Sequence, residues 1–275
     1  MRNDSIISMH MFAPIAALLY FAAWLARIAS VRAKAAPTQY GFFVLLPLGL
    51  FAHLMAVLHG FITKQGFDFG LYEMASLIFL VVNATVFVTA LKQPLHNLFL
   101  LLLPLSIPAL IAAHYLDTET LLHHALTPAL AVHIGLSILA YSLLTIATLQ
   151  ALLLTYQTSK LKTHQAGALI GVFPSLQTME SLLVRLLWAG FGLLTLSIVT
   201  GVFFIDSIAA QNLGQKLVFS VLSWLIYAVL LWGMHTFGWR GNRATRWVLT
   251  GFLMLMLAYF GSKFIFEVLL ATQTA

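Results

Sequence analysis

Histidine is the side chain in this sequence best suited to chemistry. A neutral imidazole ligates metals and passes protons, and an ionisable group inside an apolar segment is costly enough to suggest a use. The chain has ten histidines. His133 falls five residues into the apolar stretch PALAVHIGLSILAYSLL (128–144), and Ser137, Tyr141, Thr145 and Thr148 follow at spacings of four, four, four and three. On a helix these five residues share an arc of about 120°, one polar stripe that should face other helices. Two uses suit such a stripe: hydrogen bonds between helices, worth about 0.6 kcal/mol each, or ligation through the imidazole. Spacing alone leaves both open.

His59 lies near the end of another apolar run, FAHLMAVLHGF (51–61), at nearly the depth of His133. His53 is about one and two-thirds turns deeper and points about 120° away from His59. Two imidazoles from different helices at one depth suit axial ligation of a heme iron; hydrogen bonding to neighbouring helices is the other use. His114, His123 and His124 fall at or beyond the end of a run and read as solvated. His235 ends a run and reads as snorkelling to the interface. His10, His96 and His164, at ends or in loops, take no role. Glu73, at the start of a run, either pairs with a histidine or sits in the interface. Lys263 and Glu267, four apart, read as a pair on one helix. GWRGNRATRW (238–247) reads as a tight turn whose arginines set topology and whose Trp239 and Trp247 anchor the interface. Cysteine is absent, which excludes disulfides and thiolate metal sites. No phosphate-binding glycine loop, HExxH or GxSxG occurs.

The elements that carry these residues follow from composition. The chain is 61% hydrophobic and 8% charged, where a soluble domain carries about 25% charged residues. Eight apolar runs are each long enough to cross a bilayer as a helix: 9–30, 40–62, 69–90, 95–114, 128–156, 182–205, 216–235 and 246–270. The expected fold is all-α, a bundle of eight transmembrane helices in one integral membrane domain, 1–275. Arg27, Arg32, Lys34, Lys92, Lys160, Lys162, Arg185, Arg240, Arg243 and Arg246 fall on one side. The positive-inside rule makes that side cytoplasmic and sets both termini outside. Because its basic cluster follows the apolar core, the first segment does not read as a cleaved signal. The longest connection, roughly 157–181, is expected to hold a short surface helix, to break at Pro174 and to start the next span near Ser175. The net charge of +6 is spread between apolar runs and reads as topology, not nucleic-acid binding.

Four stretches, in order, resemble the cytochrome c assembly family of CcsA/ResC-like membrane proteins, and most closely its short HemX-like and YpjD-like inner membrane subgroup. They are FAHLMAVLHGF (51–61), VHIGLSILAYSLLTIATLQALLL (132–154), FPSLQTMESLLVRLLWAGFGLLTLSIVTG (173–201), and WLIYAVLLW with GWRGNRA and GFLMLMLAYFGSKF (224–264). The resemblance implies a bundle in the inner membrane that handles heme at its outer face. Histidines ligate the iron, a tryptophan-rich segment cradles the porphyrin, and other cytochrome assembly proteins are partners. His133 matches the first outer histidine and His53 that of the early helix, with His59 as the depth-matched substitute, so heme would be held between helices two and five. The sequence also departs from the family pattern. FFIDSIAAQNLGQKLVF (203–219) contains no tryptophan, the histidine expected after WLIYA falls on Trp232 with His235 about one turn further on, and the late outer histidine would fall near Leu270. The resemblance therefore implies a reduced relative without complete cytochrome c synthase activity. An accessory protein that binds and regulates another membrane protein is the alternative. A small-molecule transporter is a weaker one, which Pro47, Pro104 and Pro108 permit and the lack of a visible internal repeat disfavours.

Overall fold

Apolar runs of membrane length must close their backbone hydrogen bonds internally, and each of the eight does so as a helix. The computed structural model describes residues 11–33, 41–63, 66–93, 95–116, 121–122, 127–163, 174–202, 213–261 and 263–264. Among them run α1 (Phe12–Arg32), α2 (Phe42–Phe61), α3 (Leu71–Ala90), α4 (Phe99–Tyr115, entered through a single 3-10 turn, His96–Leu98), α5 (Pro128–Lys162), α6 (Leu176–Val202), α7 (Leu213–Thr236) and α8 (Asn242–Met256, continued by a π-helical turn, Leu257–Gly261). All eight are long and apolar enough to span a membrane. The prolines at 47, 104 and 108 lie inside α2 and α4, which continue through them.

Helix ends follow local chemistry more than hydropathy. Thr127 caps α5, its hydroxyl accepting from Leu130 N at 3.3 Å with Pro128 in the first turn. Ser175 caps α6, accepting from Thr178 N at 3.2 Å just past Pro174, as the sequence suggests. α5 has 35 residues, about 52 Å of helix, against roughly 30 Å of hydrocarbon. It thus outruns the apolar stretch 128–156, and α6 begins at Leu176, not 182. The expected surface helix would fall in 164–173, outside the described residues.

The chain divides into two compact units, Met1–Ala125 with Gln165–Phe173 and Leu126–His164 with Pro174–Ala275. In the first, α1 packs on α2 and α4, and α3 packs on the same two. Ala13, Ala16 and Ala17 of α1 meet Ala52 of α2 and Leu110 of α4. Such small residues let membrane helices approach closely. A three-stranded antiparallel sheet, β1 (Ile62–Thr63), β2 (Gly66–Asp68) and β3 (Leu121–Leu122), joins two connections at the Asp68–Glu73 end of this unit. The register pairs Ile62 with Phe67 and Phe67 with Leu122. In the second unit α5 packs on α6 and α8, and α7 packs on the same two. Its turn between α7 and α8 uses Gly238 and Gly241 at φ 63° and 58°, a conformation that favours glycine. Trp239 stacks on Trp247 at 5.4 Å and carries the Arg243 guanidinium 4.4 Å above its ring.

Candidate functional site

In the second unit, the polar stripe of α5 faces its neighbours. Nδ1 of His133 lies 3.0 Å from the carbonyl oxygen of Ser197 and 3.2 Å from the Thr200 hydroxyl, both on α6. A carbonyl only accepts, so Nδ1 carries the proton and the neutral ring holds its lone pair on Nε2. Ser137 donates to the His133 carbonyl at 2.8 Å and meets the Ser197 hydroxyl at 2.7 Å. Gly201 makes room for the ring, since a Cβ there would stand 2.9 Å from His133 Cε1. One helical turn past Ser137, Tyr141 is buried and donates to the carbonyl of Leu255, just before the π-helical turn, with Tyr259 and Phe260 edge-on to its ring. Thr145 and Thr148 bond back to carbonyls of α5 itself, and the Thr148 hydroxyl also meets that of Tyr227 on α7.

In the first unit, His53 is fully buried, and both ring nitrogens are bonded: Nδ1 to the Tyr20 hydroxyl at 3.0 Å and Nε2 to the Ser76 hydroxyl at 3.0 Å. It thus ties α1, α2 and α3 together, and ligating iron would require breaking one of these bonds. Gly49 clears space for Tyr20, because a Cβ there would meet the phenol ring at 2.7 Å. Deeper in the unit Asn83 donates to Ser106 at 2.7 Å. His59 is exposed near the end of α2. The Glu73 carboxylate abuts the next residue, Gly60, whose Cβ would meet it at 2.6 Å.

His235 is exposed at the end of α7, beside the turn into α8. Trp224 of α7 donates to Thr195 of α6 at 2.8 Å, which sets the register of the two helices. His235 is eleven residues beyond Trp224, and so lies about 16 Å further from the His133 end of the unit than Trp224 does. It cannot share one iron with His133. Among the described residues no three His, Asp or Glu side chains gather to hold a metal ion. Heme needs no such group, because the porphyrin supplies four ligands and the protein one or two. His10, His123, His124, His164, Glu267 and the Leu270 position lie outside the described residues, as does most of 203–219.

Ser197, Thr200, Gly201, Tyr20 and Ser76 are the partners that sequence reasoning missed. Gly201 had a signal, as the closing glycine of its stretch. The Ser197 carbonyl had none, because every residue carries one.

Eight membrane-length helices with a polar stripe turned inward define a polytopic membrane protein. The Cytochrome C assembly protein family matches residues 12–270, and the chain belongs to that family. It is similar to the inner membrane protein YpjD of Escherichia coli K12, 32% identical over 201 residues, covering 73% of this chain and 76% of that protein. An uncharacterized 28.8 kDa protein of Azospirillum brasilense is 34% identical over 140 residues, covering 50% of this chain and 52% of that protein. The cytochrome c biogenesis protein CcsA of Guillardia theta is 28% identical over 153 residues, 50% of this chain and 51% of that protein. No solved structure matches the chain. The spans and the relatives together make this a multi-pass inner membrane protein.

Proposed function

We propose that this protein takes part in cytochrome c assembly by holding heme non-covalently, with Nε2 of His133 as an iron ligand. The observation that carries the reading is the Nδ1–H bond from His133 to the Ser197 carbonyl. Metal-bound histidines characteristically donate their other ring nitrogen to a carbonyl or carboxylate, which fixes both tautomer and orientation. Ser197 does that, Thr200 adds a second contact, and Gly201 leaves the ring its space. Heme bound there would supply an iron that accepts the imidazole lone pair. What the chain supplies is a ring set in one orientation at the end of the unit opposite Arg240 and Arg243. The positive-inside rule assigns that end to the outer face. His53 serves this reading less well, since its two nitrogens already hold neighbouring helices.

The test is optical. Protein purified gently from cells supplied with a heme precursor should show a Soret band near stoichiometric with protein. Colourless protein under those conditions would contradict the reading. Co-purification of one stoichiometric membrane partner by colourless protein, unaffected by His133→Ala, would favour an accessory role instead.

A further inference from the structure

Arg27 lies on the inward face of α1, five residues before its last residue, Arg32. It is 1% exposed, among the largest fully buried side chains of the protein. Nη2 donates to Oδ1 of Asn97, on the 3-10 turn that leads into α4. Among the described residues, the buried Nε and Nη1 have no acceptor, and the buried Nδ1 of His96, adjacent to Asn97, has no partner. The cluster is held in place on both sides. One turn before Arg27, Trp24 donates to the Leu100 carbonyl of α4 at 3.1 Å. Phe43 of α2 stands edge-on to the His96 ring at 5.8 Å.

A guanidinium does not deprotonate in a protein, and burying one without an acceptor is costly. Among this unit's described residues no carboxylate stands at that end. Its acidic residues are Asp4, Asp68, Glu73, Asp117 and Glu119. Asp68 and Glu73 stand at the start of α3, and in sequence the other three adjoin the start of α1 or the end of α4. All adjoin the helix ends away from Arg27. The charges that adjoin the cluster along the chain are Arg32 and Lys34 after Arg27 and Lys92 before His96, all positive.

We propose that Arg27, His96 and Asn97 form a binding site for a phosphate oxyanion at the basic end of the first unit, the end the charge bias assigns to the cytoplasm. Arginine's planar set of donors suits phosphate. Arg27 sits about 7.5 Å inside the end of α1, within reach of the headgroup level. The phosphate comes either from an anionic lipid headgroup or from the cytoplasm as a free ion. In both cases it accepts hydrogen bonds from the Arg27 N–H groups that the described residues leave unmatched, and the Nδ1–H tautomer of His96 donates to it as well.

Reconstitution separates the two sources. The thermal midpoint is read by tryptophan fluorescence in nanodiscs of digalactosyldiacylglycerol, a lipid without phosphate, with inorganic phosphate against chloride at matched ionic strength, and again in such nanodiscs that also contain phosphatidylglycerol. The wild type should gain about 2–4 °C in one arm. A gain with inorganic phosphate identifies a free anion, and a gain with phosphatidylglycerol alone identifies a lipid. Arg27→Met should show neither gain and should be no less stable than wild type in the galactolipid nanodiscs without phosphate. If Arg27→Met does not fold, Arg27→Lys replaces it and should show a reduced gain. No gain for the wild type in either arm, as when water alone meets these groups, or an equal gain in the variant used, overturns the proposal.

Discussion

Nδ1 of His133 and the carbonyl oxygen of Ser197 are 3.0 Å apart, and that contact decides which ring nitrogen can act as a ligand. It joins α5 to α6 near one end of the second unit. Because the acceptor is a backbone atom of a long helix, it cannot swing away as a side chain would. The ring is oriented before any ligand arrives, which lowers the cost of binding one.

Gly201 tests that orientation without touching the imidazole. A Cβ at this position would approach His133 Cε1 to 2.9 Å. Gly201→Val should push the ring off the Ser197 carbonyl and cut heme retention at least several-fold. Its thermal midpoint should stay within a few degrees of wild type. Thr200→Val, which removes the second, 3.2 Å contact to His133 and the hydroxyl's own bonds within α6 but keeps the Ser197 carbonyl, should reduce heme content far less. Spectra of the two variants, normalised to protein, check the ordering.

The Tyr20–His53–Ser76 chain should register in stability. Tyr20→Phe removes one buried hydrogen bond and should cost about 0.6–1.7 kcal/mol, the range for such bonds between membrane helices. His53→Ala removes two and leaves a cavity, so it should cost more, about 2–4 kcal/mol. Unfolding in mild detergent measures both. If His53 also held iron, His53→Gln would lose the Soret band while remaining folded.

Tyr141 should matter for a different reason. Its hydroxyl donates to the Leu255 carbonyl, just before α8 widens into the π-helical turn Leu257–Gly261. Tyr141→Phe removes that bond and should speed amide hydrogen exchange at 257–261, leaving α1 to α4 unchanged. Exchange mass spectrometry reads both regions in one sample.

The Arg240–Glu180 pair should contribute little. The groups are 3.7 Å apart, with side-chain exposures of 76% and 32%. Exposed pairs are typically worth under about 1 kcal/mol. Glu180→Gln should leave the thermal midpoint nearly unchanged at any salt concentration. A fall of many degrees would show that the pair holds the α6 start to the α7–α8 turn.

Hydropathy made the eight spans legible, because a bilayer imposes both length and apolarity. Where a helix outlasts the apolar run it fails. α5 continues through Thr158, Lys160 and Lys162, and α6 starts at Leu176 among Gln177 and Glu180, since a helix leaving the membrane needs no apolar face. The stripe from His133 through Ser137 to Tyr141 was legible from its period, but its partners were not. Two are backbone carbonyls, of Ser197 and Leu255. Arg27 reads in sequence as one more topological charge, and only its burial sets it apart from Arg32 beside it. The division into two four-helix units has no hydropathy signal either, because every lipid-facing run looks alike. The short β strands leave no trace, being two or three residues each.

The ligand role of His133 is tested most directly by chemical rescue. His133→Ala, folded and inserted, should lose the Soret band of the wild type, and added imidazole should restore it by occupying the vacated space. An unchanged band in His133→Ala, in position and intensity, would contradict it.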